Sequence, residues 1–396
     1  MLFNRPHALR QIVRDDVGRD LARLGGLEGL ARSVTVTVLP LAVFDALGSK
    51  AAVSNVYFAG SFLAFLATLN VGRLEALLAR RWVVTAGLAG AVVANVVVVV
   101  VDGPALAVAV SLVNTEAAIF AVALSLFIMD FIGKRDLARN ESRRMVHNGV
   151  AWMVGPLMSI WLYTEVAVWA PFILASSLYL AALVYFWVLR LGPNPALVAP
   201  KAPAPSPLAN IPRYFRQRYL RIAYVITLVR GTFWATLFIY APLYILDADL
   251  PEKMTGGIVS MVAALLLASP AVLWVGDRTS TKTVMIAGFV MIATSMSALA
   301  VIGDARPVGL VFWITAAWGG SWLDVLGNIP FMRTVKPRER TAMTTVFSSW
   351  RETSAIAAPG VGSLVLVLGP FWIYYVVLAI ACVATAVYVS FLPARI

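Results

Sequence analysis

Apolar residues fill this chain in long blocks, and polar residues collect between the blocks. A block of about 18 to 26 residues with few charges can cross about 30 Å of hydrocarbon as an α-helix. Twelve such spans are predicted, at residues 25–47, 51–70, 82–101, 104–129, 145–163, 167–189, 221–246, 255–275, 283–302, 307–331, 342–366 and 370–392. Proline recurs inside them, at Pro40, Pro156, Pro242, Pro270, Pro330 and Pro359, as membrane helices tolerate better than soluble ones do. The first 23 residues are too polar for the apolar core of a signal peptide. Leu9, Ile12, Val13 and Leu21 share one helical face, so residues 1–24 are predicted to lie on the membrane surface as a short amphipathic helix.

Composition agrees with a membrane solvent. The chain is 60% apolar and 13% charged, about half the charge of an ordinary globular domain. With the N-terminus in the cytoplasm, 26 of the 32 Lys and Arg fall in cytoplasmic tails and loops. Lys50, Lys253 and Arg306 fall on the far side, and Arg32, Arg230 and Arg351 within spans. That asymmetry puts both termini inside and accounts for the net charge of +12 without nucleic acid. The basic runs near Lys134–Arg144 and Arg213–Arg221 then face anionic headgroups.

A proline-rich, basic stretch at 191–219, with Gly192-Pro193-Asn194-Pro195 followed by Pro200, Pro203, Pro205 and Pro207, divides six spans from six. It reads as a semi-rigid cytoplasmic linker between a bundle at 25–190 and a bundle at 220–396. The halves echo each other. Arg32 upstream of Pro40 matches Arg230 upstream of Pro242, and Asp130-Phe131-Ile132-Gly133 matches Asp324-Val325-Leu326-Gly327. Gly155-Pro156 matches Pro359-Gly360. Three matches in order, each offset by about half the chain, point to a duplicated six-helix unit.

The chain resembles the major facilitator superfamily over nearly its whole length. The superfamily's G-x-x-x-D-R-x-G-R-R loop between spans two and three is met here by Gly72-Arg73-Leu74-Glu75-Ala76-Leu77-Leu78-Ala79-Arg80-Arg81, which keeps the first glycine and the final arginine pair. Between spans eight and nine, Gly276-Asp277-Arg278 keeps the complementary part. Span five carries Gly149, Gly155 and Pro156, similar to the glycine- and proline-rich motif of the proton-antiporting exporters, with Ser159 where a further glycine is expected. The resemblance implies an all-α fold of two pseudo-symmetric six-helix bundles that rock around a central cavity. It makes Gly72, Arg80, Arg81, Asp277 and Arg278 parts of conformational-switch loops, and the nearness of Asp130 to Lys134 and Arg135 suggests a loop lock there too.

Charges inside the spans mark the expected pathway, because an ionisable group in hydrocarbon is costly and by default functional. The resemblance places spans one, four, seven and ten around the cavity, and with them Arg32, Glu116, Arg230 and Asp324. Arg351 and Glu352 in span eleven complete the set. Structural ion pairs, such as Arg351 with Asp324, are the competing reading. A carboxylic acid can take a proton on one side and release it on the other, which makes Glu116 and Asp324 the proton candidates. Glu28 and Asp45, near span ends, read as solvated. Trp234, Trp318 and Trp322 could line a cavity for an amphipathic solute, beside Phe233, Trp313 and Trp350; belts and helix packing are their commoner use. Gly319-Gly320, then Gly327, Asn328 and Pro330, suggest that span ten bends or breaks near Asp324.

Other chemistry is absent from the pattern. No phosphate-binding G-x-x-x-x-G-K-[ST] loop occurs, and His7, His147 and Cys382 give no metal-ligand spacing. No enzyme, cofactor or metal is expected. The expected protein is a monomeric secondary transporter in a bacterial inner membrane, where 26 Arg against 6 Lys reflects a GC-rich genome. Proton-coupled export of a small organic solute is favoured. Uptake of a charged metabolite, or a non-transporting assembly or lipid-handling role on the same fold, are the alternatives.

Overall fold

A computed structural model describes residues 7–78, 80–131, 137–189, 207–265, 269–336 and 339–393, and all regular structure among them is helical. The helices are α1 (His7–Leu47), α2 (Lys50–Leu77), α3 (Arg80–Val100), α4 (Pro104–Phe131), α5 (Leu137–Trp161) and α6 (Ala170–Val188). They continue as α7 (Pro207–Arg216), α8 (Arg218–Asp247), α9 (Lys253–Leu265), α10 (Ser269–Arg278), α11 (Thr281–Ile302) and α12 (Gly309–Leu326). The last four are α13 (Ile329–Thr334), α14 (Arg340–Ser348), α15 (Trp350–Leu368) and α16 (Trp372–Ser390). A wide π-turn, Leu162–Val166, extends α5.

Turn chemistry ends the helices where the apolar blocks end. Gly48 (φ 69°) and Gly303 (φ 73°) take left-handed backbone after α1 and α11. Their N–H groups bond the Phe44 and Leu299 carbonyls, capping orphan helix-end acceptors as glycine does cheaply. At the other end of α11, the Ser280 hydroxyl accepts from the Thr283 N–H, the usual N-cap bond.

Among the described residues, nine helices are long and apolar enough to cross a membrane. The predicted spans at 145–163, 255–275 and 342–366 are outside that set. The second of these is divided between α9 and α10 and the third between α14 and α15. Large apolar side chains such as Val100, Val301, Val367 and Leu368 stay exposed, as they do when lipid is the solvent. The amphipathic segment predicted to lie apart on the surface instead runs without a break into α1. The predicted bend in span ten occurs three residues beyond Asp324, where α12 stops at Leu326, Gly327–Asn328 turn, and Pro330 enters the first turn of α13.

The chain forms two compact units, Met1–Val38 with Leu63–Ala204, and Leu39–Phe62 with Pro205–Ile396. In the first, α3 packs on α4 and α6, around a core that includes Leu88, Phe120, Tyr179 and Phe186. The second repeats the pattern, with α11 on α12 and α16. Residues 39–62, expected in the first bundle, pack in the second unit. There Lys50 ion-pairs with Asp247 and lies 5.4 Å from the Phe371 ring centroid, while Ser54 Oγ meets Tyr240 Oη at 2.8 Å.

In the second unit α7 docks through Tyr214, which is fully buried with Phe331, Met343 and Phe347. Arg213 pairs with Glu339, and Gln217 Nε2 donates to Glu339 Oε2 at 3.0 Å. Those bonds, the Arg213 one first, hold the Glu339 carboxyl below its ordinary range.

Candidate functional site

The best-defined charged group in the second unit is built on α8 and α12. Arg230 sits mid-helix on α8, with its side chain only 4% exposed. Burying a guanidinium demands that its charge and N–H groups find partners. Asp324 supplies the charge, 3.3 Å from Nε, and Nη1 donates to the Leu323 carbonyl at 3.1 Å. The Trp350 ring of α15 lies 4.9 Å beneath Cζ, within cation–π range. Gly327 lets the group approach, since a methyl there would lie 2.9 Å from Nη1.

This geometry corrects the pairing of Asp324 with Arg351, because Asp324 belongs to Arg230. Arg351 is exposed and reaches the same Trp350 ring at 5.8 Å, next to a half-buried Glu352. Of the expected cavity aromatics, Trp234 joins the group, its buried indole N–H lying beside the Asp324 carboxylate. Trp318 and Trp322 pair with each other at 6.0 Å. Trp322 projects about 200° around α12 from Asp324, so neither joins Arg230. Trp313 is fully buried packing between Tyr244 and Tyr375.

The first unit holds a counterpart. Arg32 of α1 lies over Trp152 of α5 at 5.8 Å, and the positions Arg32 and Trp152 are each 198 residues before Arg230 and Trp350. Its acid is Glu28, one turn earlier on the same helix, at 3.5 Å from Nε. Glu28 was expected to be solvated; it is 5% exposed. The sequence signal that could have found it is the i, i+4 spacing that puts two helical residues side by side. The shared offset of the two tryptophans was a second such signal.

Exposure is reversed between the pairs. In the first the arginine is 40% exposed and the acid 6%; in the second the arginine is 4% and the acid 31%. Glu116 joins neither pair. Its carboxyl carbon lies 2.5 Å from where a Gly90 Cβ would stand on α3. It makes no hydrogen bond or ion pair among the described residues.

The span-five residues are divided by the fold. Gly155 meets Ser33 of α1 so closely that a methyl would collide with Ser33 Oγ, which donates to the Ala151 carbonyl at 2.9 Å. Pro156 is buried and Gly149 is exposed with open space around it. In the second unit Gly231 of α8 packs on Ser354 of α15, Oγ 2.5 Å from a would-be Cβ. By packing, Gly155 therefore corresponds to Ser354, and the sequence match to Pro359-Gly360 is off by about one and a half turns.

Among the loop residues, Arg81 lies 5.7 Å from Trp82 with its Nε buried and unbonded, and the exposed Arg278 stacks 3.7 Å over Trp274. Gly72, Arg80, Asp130 and Asp277 fall within helices, but their surroundings lie outside what the structure describes. So does most of the proline-rich linker.

The sequence profile of the Major Facilitator Superfamily matches residues 24–273. No curated protein matches the chain in sequence. In fold it is similar to the nucleoside transporter NupG, at TM-score 0.73 and 14% identity over 94% of this chain and 98% of that one. It is also similar to a POT family transporter in complex with 5-aminolevulinic acid, at TM-score 0.77 and 10% identity, covering 98% and 96% of the two chains. A POT family transporter bound to a thioalcohol-conjugated peptide gives TM-score 0.76 at 11% identity, covering 93% and 94%.

Proposed function

The chain belongs to the major facilitator superfamily, as a multi-pass membrane transporter and not an enzyme, and from that premise we propose that it exports a small organic solute in exchange for protons. The observation that carries this reading is the Arg–Trp pair built twice, once in each unit, with each arginine on a helix apolar enough to span. Charge held at that depth is expensive unless used, and repetition at one offset is what two alternating half-sites need. Glu116 supports the proton part, since a carboxyl with no ion-pair partner among the described residues can carry a proton. Asp324 is the second acid, with Glu352 and Arg351 on the same pathway.

The charge asymmetry of the loops supports cytoplasmic termini, and the arginine-rich composition a bacterial inner membrane. We propose a monomer as the working form. Uptake of a charged metabolite would draw on the same charges with the opposite coupling.

Reconstituted vesicles carrying an imposed pH gradient test the proposal. Solute should move against the proton flux, and Glu116→Gln should abolish gradient-driven movement while leaving solute exchange. Full gradient-driven transport in both Glu116→Gln and Asp324→Asn, or strict dependence on sodium, would sink it. Movement with the proton flux would turn the reading to uptake.

A further inference from the structure

We propose that the ligand of this protein carries an anionic oxo group, a carboxylate or a phosphate or sulfate ester, and that the terminal edge of Arg32 binds it. The proposal rests on the transport reading only in calling that ligand the solute.

Arg32 stands in the middle of the span Gly18–Leu47, yet none of its N–H groups meets a hydrogen-bond acceptor among the described residues. Its Nε is buried and unbonded, and so is the facing Glu28 Oε1. At 3.5 Å the two attract electrostatically without sharing a proton. The other contact is the face of Trp152. A guanidinium with its donors unmet at this depth is costly, and the Arg230 counterpart shows how the fold meets the demand when it serves itself. That arginine gains a carbonyl, a carboxylate and near-complete burial. Arg32 gains no carbonyl, meets its acid only at 3.5 Å without a hydrogen bond, and stays 40% exposed.

The direction of the open edge sets the ligand class. Glu28 occupies the Nε side, leaving both terminal nitrogens to the accessible side. Two parallel N–H groups match the paired oxygens of a carboxylate or phosphate. A cationic ligand would need the Glu28 carboxylate, which is buried behind the arginine. Trp152 backs the guanidinium plane and favours a flat or apolar body next to the charge.

The test uses the purified full chain in detergent and labelling by phenylglyoxal, an arginine reagent, read peptide by peptide in a mass spectrometer. Benzoate, succinate and phenyl phosphate serve as anion probes, with benzylammonium and benzamide as matched controls. Arg32 should label readily, and at least one anion should slow that labelling while the controls do not. Binding measured by thermal shift should weaken about tenfold to a hundredfold in Arg32→Gln, and partly recover in Arg32→Lys. An unreactive Arg32, labelling that no anion slows, or equal protection by benzylammonium would overturn the proposal. Protection without proton-driven transport would remove the coupling reading and leave this one standing. Full-rate transport in Arg32→Gln would do the reverse.

Discussion

The Arg32 and Arg230 sites share a cation over a tryptophan at the same spacing, and they differ in where the acid comes from. Glu28 arrives from the arginine's own helix, so it can approach only one edge and leaves the rest of the guanidinium uncovered. Asp324 arrives from a neighbouring helix and brings the Leu323 carbonyl with it, which encloses the arginine. The duplicated unit thus keeps the Arg–Trp pair and lets the acid decide its use. A cross-helix acid turns the arginine into a helix clamp, while a same-helix acid leaves it facing outward.

The sharpest way to break this comparison is to remove the enclosed arginine. Arg230→Ala should lower stability by about 3 kcal/mol, the low end for breaking a buried pair, because Asp324 is partly exposed. Thermal unfolding in detergent reads this, and the double change Arg230→Met with Asp324→Leu should recover much of it without restoring transport. An unchanged melting temperature in Arg230→Ala would show that the clamp is not one.

A second test exchanges the seams beside the two arginines. Ser33 meets Gly155 in the first unit, and Gly231 meets Ser354 in the second, so the small and hydroxyl partners are swapped between equivalent helices. Gly155→Ser alone should cost about 1–3 kcal/mol by overpacking. Adding Ser33→Gly, which copies the second unit's arrangement into the first, should return most of that loss. No recovery would mean that the two seams are not equivalent.

The smallest effect concerns the α7 brace, for which the first unit shows no counterpart among its described residues. Glu339 is held below its ordinary range by Arg213 and Gln217, so its contribution is present above the unfolded carboxylate value. That contribution is lost as pH falls through about 4 and on to the lower folded value. Hydrogen exchange of the α7 amides should quicken over that window beyond the intrinsic pH effect, and Glu339→Gln should remove the dependence. Exchange that follows the intrinsic rate alone would place the brace's strength in Tyr214 packing.

Much of the architecture was legible in the chain because hydrocarbon leaves the backbone few options. A peptide group that cannot bond to lipid must bond within its own segment, so an apolar block of sufficient length is a helix before any neighbour is considered. The bend after Asp324 was legible for the same kind of reason, since Gly327, Asn328 and Pro330 act locally. Glu28 was misread because depth was judged by distance from a predicted span end, whereas α1 is one helix from His7 to Leu47. Trp318 and Trp322 were expected as cavity-lining aromatics, and helical rotation turns Trp322 away from the Arg230 group.

The amino-acid sequence alone determined the solvent this protein folds in, the helices and the internal repeat, including the 198-residue spacing of both Arg–Trp pairs. Those properties depend on composition and short spacings, which act within one segment. The tertiary structure alone decided that Asp324 serves Arg230, which arginine is enclosed, and that residues 39–62 pack with the second unit. Such choices depend on side chains about a hundred or more residues apart in the chain meeting within a few ångströms, and no local pattern encodes which of several acids gets there.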